Sequence, residues 1–176
     1  MLQLKQLVII NKIGVSCDGA DFNKFYYLSV FDKFMMTLNL VNQVNLKNCI
    51  MVSDDGLGVV LKRSLANGVF RNDFKSTLLK YMRFKNKELL SGEQDSYYFR
   101  YLVMSKKFGK RLTYSDFAKF AFHSVPMSEV LIGTKSVSHL KNFCEIEKSL
   151  GSNKIELERF KNLFQNSNLF NWRAQT

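Results

Sequence analysis

A short stretch near the carboxyl end brings hydroxyl, ammonium and imidazole groups together within a few residues. Thr134, Lys135 and Ser136 follow a glycine, and His139 comes three residues later. The apolar run before them, residues 130–132, has the size of a buried strand, and Ser136 and Ser138 are each placed to cap a helix. Backbone N–H groups, hydroxyls and a positive charge at a helix start suit an anion such as phosphate. An ordinary strand-to-helix connection with a surface lysine fits the same pattern.

Four apolar runs in the chain predict buried strands. The predicted strands are residues 12–16, 33–40, 57–62 and 130–132. The third run, Leu-Gly-Val-Val-Leu-Lys, is nearly all apolar, as expected of a strand that is covered on both faces. Because predicted helices alternate with these runs, the strands should be parallel and joined by right-handed crossovers. The sequence therefore predicts an α/β fold with about four parallel strands.

Helical spacing of apolar residues, together with capping residues, predicts the helices. We expect helices at residues 21–31, 45–53, 113–124 and 154–164, and one with Leu140, Phe143, Ile146 and Leu150 on a single face. Thr113 and Asp116 form a capping-box pattern at the start of the third of these helices. Residues 4–10 end a helix or form a buried connection. The segment 72–111 is irregular and polar apart from a helical pattern at 73–85, and its length favours an inserted loop or helical excursion.

Length and composition fit one folded domain, residues 1–176, with a sizeable core. Of the 176 residues, 46% are hydrophobic and 23% are charged, which excludes a disordered chain. No apolar run approaches the length of a membrane helix. Cys17, Cys49 and Cys144 lie far apart, and no pair has metal-ligand spacing. We therefore predict no metal site and reduced thiols in the cytoplasm.

The net charge of +11 raises the question of a nucleic-acid partner. The positive charge is spread out, and its densest patches are residues 80–87 and 106–111. The chain lacks the aromatic-plus-basic motif of a known nucleic-acid-binding module. Solvated helix faces and loops are the favoured interpretation of this charge.

Four segments, in the correct order and spacing, resemble the carboxyl-terminal half of an aldo/keto reductase. Residues 12–16 are similar to the fifth barrel strand with its Gly-Val-Ser end, and residues 31–40 to the sixth strand, which ends in Asn-Leu. Residues 58–68 resemble the seventh strand and its Leu-x-x-Gly loop. Residues 130–140 resemble the eighth strand and the cofactor loop after it. The resemblance implies a partial (β/α)8 TIM barrel, since a complete one needs about 250 residues.

The resemblance also implies an NADP site on the last two loops. Backbone groups of Ser64, Leu65 and Gly68 would wrap the pyrophosphate. The residues that would surround the adenosine 2′-phosphate are Gly133, Thr134, Lys135, Ser136 and His139. A helix-surface residue without a ligand is the alternative for His139. The family's adenine-binding Asn falls on Phe143, and Asn142 lies one place early.

The match is weaker where the nicotinamide and the reacting groups would lie. Ser16 fits the family serine that bonds the carboxamide, but Cys17 replaces the Asn that follows it, and a Gln of the sixth strand falls near Met35. A turn residue is the alternative for Ser16. The family's catalytic Tyr, Lys, Asp and His come from the first four strands. No Tyr or His here follows their motifs, so we assign no catalytic residue, and neither Tyr26 nor Tyr114 takes that role.

These observations support two functional hypotheses of different classes. The first is a truncated or split NADP-dependent oxidoreductase of the aldo/keto reductase kind. It would keep the phosphate-binding loops, lack the catalytic tetrad for carbonyl reduction, and be inactive alone. The second is a non-catalytic half-barrel that dimerises or docks on a partner chain carrying the missing half. Its basis is that a half-barrel exposes two strand edges and part of a barrel interior.

Overall fold

A four-stranded parallel sheet forms the centre of the fold in this computed structural model, which describes residues 2–7, 9–70, 93–148 and 158–162. The strands lie side by side in chain order as β1 (Gly14–Ser16), β2 (Lys33–Thr37), β3 (Gly58–Lys62) and β4 (Glu129–Val130). Each neighbouring pair is parallel. The predicted α/β fold is confirmed, although β1 begins two residues late and β2 ends three residues early, while β4 begins one residue early and ends two residues early.

Helices connect and follow these strands. They are α1 (Leu2–Gln6), α2 (Phe22–Tyr26), α3 (Leu46–Asp54), α4 (Glu93–Phe108), α5 (Tyr114–His123) and α6 (Val137–Lys148), and residues 158–162 are also helical. Within the described ranges, none of the helices is both long and apolar enough to cross a membrane. The predicted helices at 45–53 and 113–124 are confirmed to within one residue at each end.

Two predictions near the amino end need correction. The helix predicted at 21–31 covers only Phe22–Tyr26, because Ser29 takes a φ of 52° and turns the chain towards β2. Of the two alternatives for residues 4–10, the structure has the helix end, since α1 stops at Gln6. A buried connection is wrong here, because the side chains of Leu7 and Ile9 are 68% and 65% exposed.

Helix α4 occupies residues that the sequence predicted to be irregular. Its side chains Tyr97, Tyr101, Met104 and Phe108 are buried and recur every three or four residues, as on one face of a helix. Polar and charged residues between them conceal this period. The predicted helix at 73–85 lies outside the described residues, and the insertion of residues 72–111 stays a prediction.

The two faces of the sheet differ in what covers them. Alternate strand residues, among them Phe34, Met36, Val59 and Leu61, are buried against the helices. The residues between them form a second face, called here the open face: Gly14, Ser16, Lys33, Met35, Thr37, Gly58, Val60, Lys62 and Glu129. Apart from Thr37, these residues are exposed or half-buried. The main core therefore lies between the sheet and the helices.

A lysine lies flat across the open face. The ammonium of Lys33 pairs with the carboxylate of Glu129 on β4, so its stem crosses β3. Gly58 makes room for this stem, since an added Cβ there would lie 2.6 Å from Lys33 Cγ. The interior of a closed barrel is instead filled with bulky branched side chains. The open face is thus polar and partly covered by its own lysine.

Candidate functional site

The loops after β3 and β4 leave the same edge of the sheet side by side. In the register of this parallel pair Leu61 lies opposite Val130, and the Leu131 N–H donates to the Leu61 carbonyl at 2.9 Å. The carboxyl ends of parallel strands meet at one edge, which is where α/β proteins bind ligands. The loop at 63–68 and the loop at 131–136 are therefore neighbours.

Helix α5 anchors the segments that follow both strands. Phe70 lies just beyond the first loop. The centroid of its ring is 5.8 Å from that of the Tyr114 ring and 5.2 Å from that of the Phe117 ring. The Tyr114 hydroxyl donates to the carbonyl oxygen of His139 at 3.0 Å. Burial raises the pKa of Tyr114, so this hydroxyl remains a donor at neutral pH. One tyrosine thus contacts both segments and fixes them relative to each other.

The start of α5 is held by the predicted capping box, which is confirmed. The backbone N–H and the hydroxyl of Thr113 each donate to Asp116 Oδ2 at 2.7 Å. Lys110 donates to the other carboxylate oxygen at 2.9 Å. Burial alone would raise the pKa of Asp116, but these hydrogen bonds outweigh it and hold the pKa below its usual value. The anchoring helix therefore begins at a defined residue.

The loop after β3 has an unusual backbone. Four of its residues take positive φ angles: Arg63 at 56°, Ala66 at 45°, Asn67 at 54° and Gly68 at 75°. Only glycine adopts this region at no steric cost, so the other three need support from their surroundings. The loop therefore depends on its anchors to keep this shape.

Three anchors hold that loop in place. The buried Ser64 hydroxyl donates to the Leu61 carbonyl at 3.1 Å, and Leu65 packs against the core. Asn39, which is fully buried after β2, donates from its amide nitrogen to the Arg63 carbonyl at 3.0 Å. Because the Ser64 side chain is engaged inside the fold, Ser64 can offer a ligand only backbone groups, as the sequence resemblance implies.

The loop after β4 is exposed and is organised by its hydroxyls. The Ser136 N–H donates to Thr134 Oγ1 at 3.1 Å, and the His139 N–H donates to Ser136 Oγ at 3.4 Å. Ser136 therefore caps α6, and of the two caps that the sequence offers, Ser136 and Ser138, the structure has the first. A Cβ added to Gly133 would meet no atom within 4 Å, so the loop backbone is open to an approaching ligand. Lys135 is exposed here, and among the described residues it has no ion-pair partner.

Phe143 and His139 take different places on α6. Phe143 is 1% exposed, and the centroid of its ring lies 4.8 Å from that of the Tyr114 ring and 5.8 Å from that of the Phe122 ring. It anchors the helix, so it is no ligand group at the place of the family Asn, while Asn142 is exposed. His139 is exposed, with its ring 5.7 Å from that of Tyr114. Its role at a phosphate stays a prediction.

Ser16 lies apart from the other predicted site residues. It is on β1, with β2 between it and the loop after β3. Its hydroxyl accepts a hydrogen bond from Lys62 Nζ at 2.9 Å, and Lys62 pairs with Asp18 at 2.8 Å. Sequence reasoning missed this ion pair. Its only signal was that Asp18 and Lys62 both come at the carboxyl ends of predicted strands.

Tyr26 and Tyr114, to which the sequence assigns no catalytic role, have no catalytic setting in the fold. The Tyr26 hydroxyl donates to Asp55 at the amino end of β3, and this bond raises the pKa of Tyr26. The pKa of Tyr114 is raised as well, and its hydroxyl is committed to a backbone carbonyl. A tyrosine that gives up a proton during reduction needs the opposite shift.

Solved structures give the fold of this chain a known counterpart. It is similar to the aldo-keto reductase AKR11C1 from Bacillus halodurans, in the holo form and in the apo form, with a TM-score of 0.61 and 16% identity to each. The match covers 92% of this chain, 53% of the holo chain and 54% of the apo chain. The chain thus spans about half the length of these relatives. No family model matches the sequence, and no curated protein does. The fold is aldo/keto reductase-like, as the resemblance predicted.

Proposed function

We propose that this chain binds the phosphate groups of NADP at the loops after β3 and β4, within an aldo/keto reductase-like oxidoreductase. The observation that carries the proposal is that both loops leave the carboxyl edge of a parallel sheet and that Tyr114 contacts the segment after each of them, at Phe70 and at His139. The holo form of AKR11C1 is one of the structures with this fold. A fixed pair of loops suits a ligand with a pyrophosphate and a separate 2′-phosphate, because little ordering is left for the binding step.

The residues present fit the phosphate end of this cofactor. Lys135 and the N–H groups at the start of α6 would hold the adenosine 2′-phosphate, with hydroxyls from Thr134 and Ser136 beside them. Backbone groups of the loop 64–68 would face the pyrophosphate. When bound, NADPH would supply a hydride for carbonyl reduction. The chain's own contribution is to bind and orient the phosphates.

The 2′-phosphate gives the sharpest test of this proposal. Calorimetric titration should show that NADP+ binds about tenfold or more tightly than NAD+, as a charge-assisted contact would give. Lys135→Met should lower NADP+ affinity by about tenfold and leave NAD+ affinity unchanged. The effect should weaken with salt, because Lys135 is exposed.

Lys148→Met is the matched control. It removes the same charge from the opposite end of α6, roughly 16 Å along the helix axis. NADP+ affinity should change little in this variant. Equal affinities for NADP+ and NAD+, or equal losses in both variants, would reject the proposed phosphate site.

We further propose that this chain alone does not reduce carbonyl compounds. The raised pKa values of Tyr26 and Tyr114 support this, since neither hydroxyl is poised to protonate a carbonyl oxygen. The assay is NADPH oxidation by purified chain with a panel of aldehydes. Turnover that copurifies with the chain through several columns would show that the chain supplies its own proton donor.

The second candidate function is a non-catalytic half-barrel that pairs with itself or with a chain carrying further strands. Within the described residues, β1 and β4 each have one strand neighbour, which leaves hydrogen-bonding groups at both edges. The ion pair between Lys33 and Glu129 argues against a dry barrel interior on the open face. Sedimentation at low micromolar concentration decides: a monomer that melts cooperatively contradicts this candidate, and a stable dimer favours it.

A further inference from the structure

An ion pair lies at the part of the sheet edge that the sequence resemblance assigns to the nicotinamide. Ser16 is the residue implied to bond the carboxamide, and Lys62 already donates to its hydroxyl at 2.9 Å. The same ammonium pairs with Asp18 at 2.8 Å. The side chains of Lys62 and Asp18 are only 21% and 12% exposed, so both charges are largely withdrawn from water.

The carboxylate of this pair is fixed on several sides. One oxygen accepts the Thr37 N–H at 2.6 Å and the Asn45 amide at 2.8 Å, and the other accepts the Thr37 hydroxyl at 3.1 Å. Asn45 also donates to the Thr37 carbonyl at 3.0 Å and accepts from the Gly19 N–H at 2.9 Å. The pair is therefore built into the ends of three strands and the start of α3.

The neighbours of Ser16 cannot replace the missing hydrogen bonds. Met35 lies opposite Ser16 in the register of β1 and β2, and its side chain carries no strong donor or acceptor. Cys17 is 5% exposed and belongs to the core, where burial raises its pKa to about 11. A carboxamide at this edge would thus meet one hydroxyl, whose oxygen already accepts from Lys62 and which has a single O–H left to donate.

A nicotinamide ring at this position would also disturb the ion pair. The ring would cover the ammonium, or Lys62 would have to move aside. The first change would remove the remaining water from the ammonium, and the second would leave Asp18 without its partner; both are unfavourable for a mostly buried charge. The residues present therefore fit the phosphate end of NADP and do not fit its nicotinamide end.

We propose that the site recognises a 2′-phosphoadenosine nucleotide, and that a nicotinamide attached to such a ligand makes no stabilising contact with this chain. This inference rests on the proposed phosphate site. The recognised features are the adenosine 2′-phosphate and the pyrophosphate, while the rest of the dinucleotide stays in solvent. The Asp18–Lys62 ion pair holds the ends of the strands together at the place where a nicotinamide pocket would otherwise lie.

The test compares NADPH with 2′-phospho-ADP-ribose, which lacks the dihydronicotinamide and carries the same charge. Titrated into the unmodified chain, the two should have dissociation constants within about threefold, less than one net hydrogen bond would produce. Saturation-transfer NMR of bound NADPH should show the adenine protons and no dihydronicotinamide protons.

Each other outcome overturns the inference in a distinguishable way. NADPH binding more than about threefold tighter, or saturation transfer to the dihydronicotinamide, would show a nicotinamide contact and leave the phosphate site standing. Absence of binding by both ligands would remove the phosphate site and this inference together.

Discussion

Asp18→Asn tests whether the ion pair at the sheet edge stabilises the fold. The substitution keeps the shape of the side chain and removes its charge. The amide oxygen can still accept from the Thr37 N–H and from Asn45, at the present 2.6 and 2.8 Å. The new NH2 group, however, points at the Lys62 ammonium and at the Thr37 hydroxyl. In the unmodified chain this ammonium lies 2.8 Å from the Asp18 carboxylate. In the variant the ammonium faces a donor where an acceptor stood, whereas the Thr37 hydroxyl can turn and accept from the new NH2 group.

The expected loss follows from the lost contact with Lys62 and from the weaker hydrogen bonds that a neutral oxygen accepts from the Thr37 N–H and from Asn45. A hydrogen bond to a charged group contributes about 1.5–3 kcal/mol, and partial exposure of Lys62 favours the lower end. The lost ion pair and the two weakened hydrogen bonds together give a decrease of about 3 kcal/mol in the free energy of unfolding. For a chain of 176 residues this corresponds to a fall of roughly 6–12 °C in Tm.

Urea denaturation followed by circular dichroism measures this change. Asp54→Asn is the control, because Asp54 is exposed in the last turn of α3, where a carboxylate opposes the helix dipole. It should be neutral within about 0.5 kcal/mol or slightly stabilising. Lys62→Met and the double variant complete a cycle, with an expected coupling of about 1–2 kcal/mol.

Two results would refute the reasoning about Asp18. One is a loss below about 1 kcal/mol in Asp18→Asn, which is smaller than a single charged hydrogen bond. The other is additive behaviour of Asp18→Asn and Lys62→Met, because side chains that interact directly should couple. In either case the ion pair would be a surface contact, and the inference about the nicotinamide would lose its physical basis.

Two further predictions concern the anchoring helix and the thiols. Asp116→Ala should cost about 2 kcal/mol, since it removes the Thr113 cap. In the fold the pKa of Asp116 lies below its usual 3.8, so its contribution to the free energy of unfolding is present above that pH and is lost as the pH falls further. A difference between Asp116→Ala and the unmodified chain that stays the same at every pH in urea titrations would contradict this. Cys144 should react with a thiol reagent at neutral pH, while Cys17 and Cys49, buried with pKa values raised to about 11 and 12, react only on unfolding. Rapid reaction of two or three thiols in native chain would count against this.

The elements that the sequence predicts well are those whose determinants are local. The strand at 57–62 is a nearly uninterrupted apolar run and is recognised as a strand without knowledge of its neighbours, although only one of its two faces is buried. The helix after Thr113 has its cap, its apolar stripe and its end within a dozen residues. Ser136 caps α6 in the same way. For such elements the spacing of the apolar residues and the residues at each end are sufficient to predict the helix or strand.

Other features depend on residues that are distant in the chain. Lys62 lies 44 residues after Asp18, and nothing in either local sequence indicates that their side chains meet across β2. Helix α4 has an apolar stripe that includes the buried Tyr97 and Tyr101. The many polar residues in the segment obscure this stripe in the sequence. Both misses have one cause: tertiary packing, and not local propensity, determines the outcome.

Phe143 shows how a departure from a family pattern acquires a physical explanation. The resemblance expects an adenine-binding Asn there, and the apolar residue looks like a lost contact. In the fold the ring is buried between Tyr114 and Phe122, where a short polar amide would leave a cavity and unpaired groups. A buried anchor at this position fixes α6 on α5, and with it the loop that carries Lys135. In the proposed site, placement of the phosphate groups would therefore depend on aromatic packing beneath the loop, so affinity should reside in the phosphates more than in the adenine.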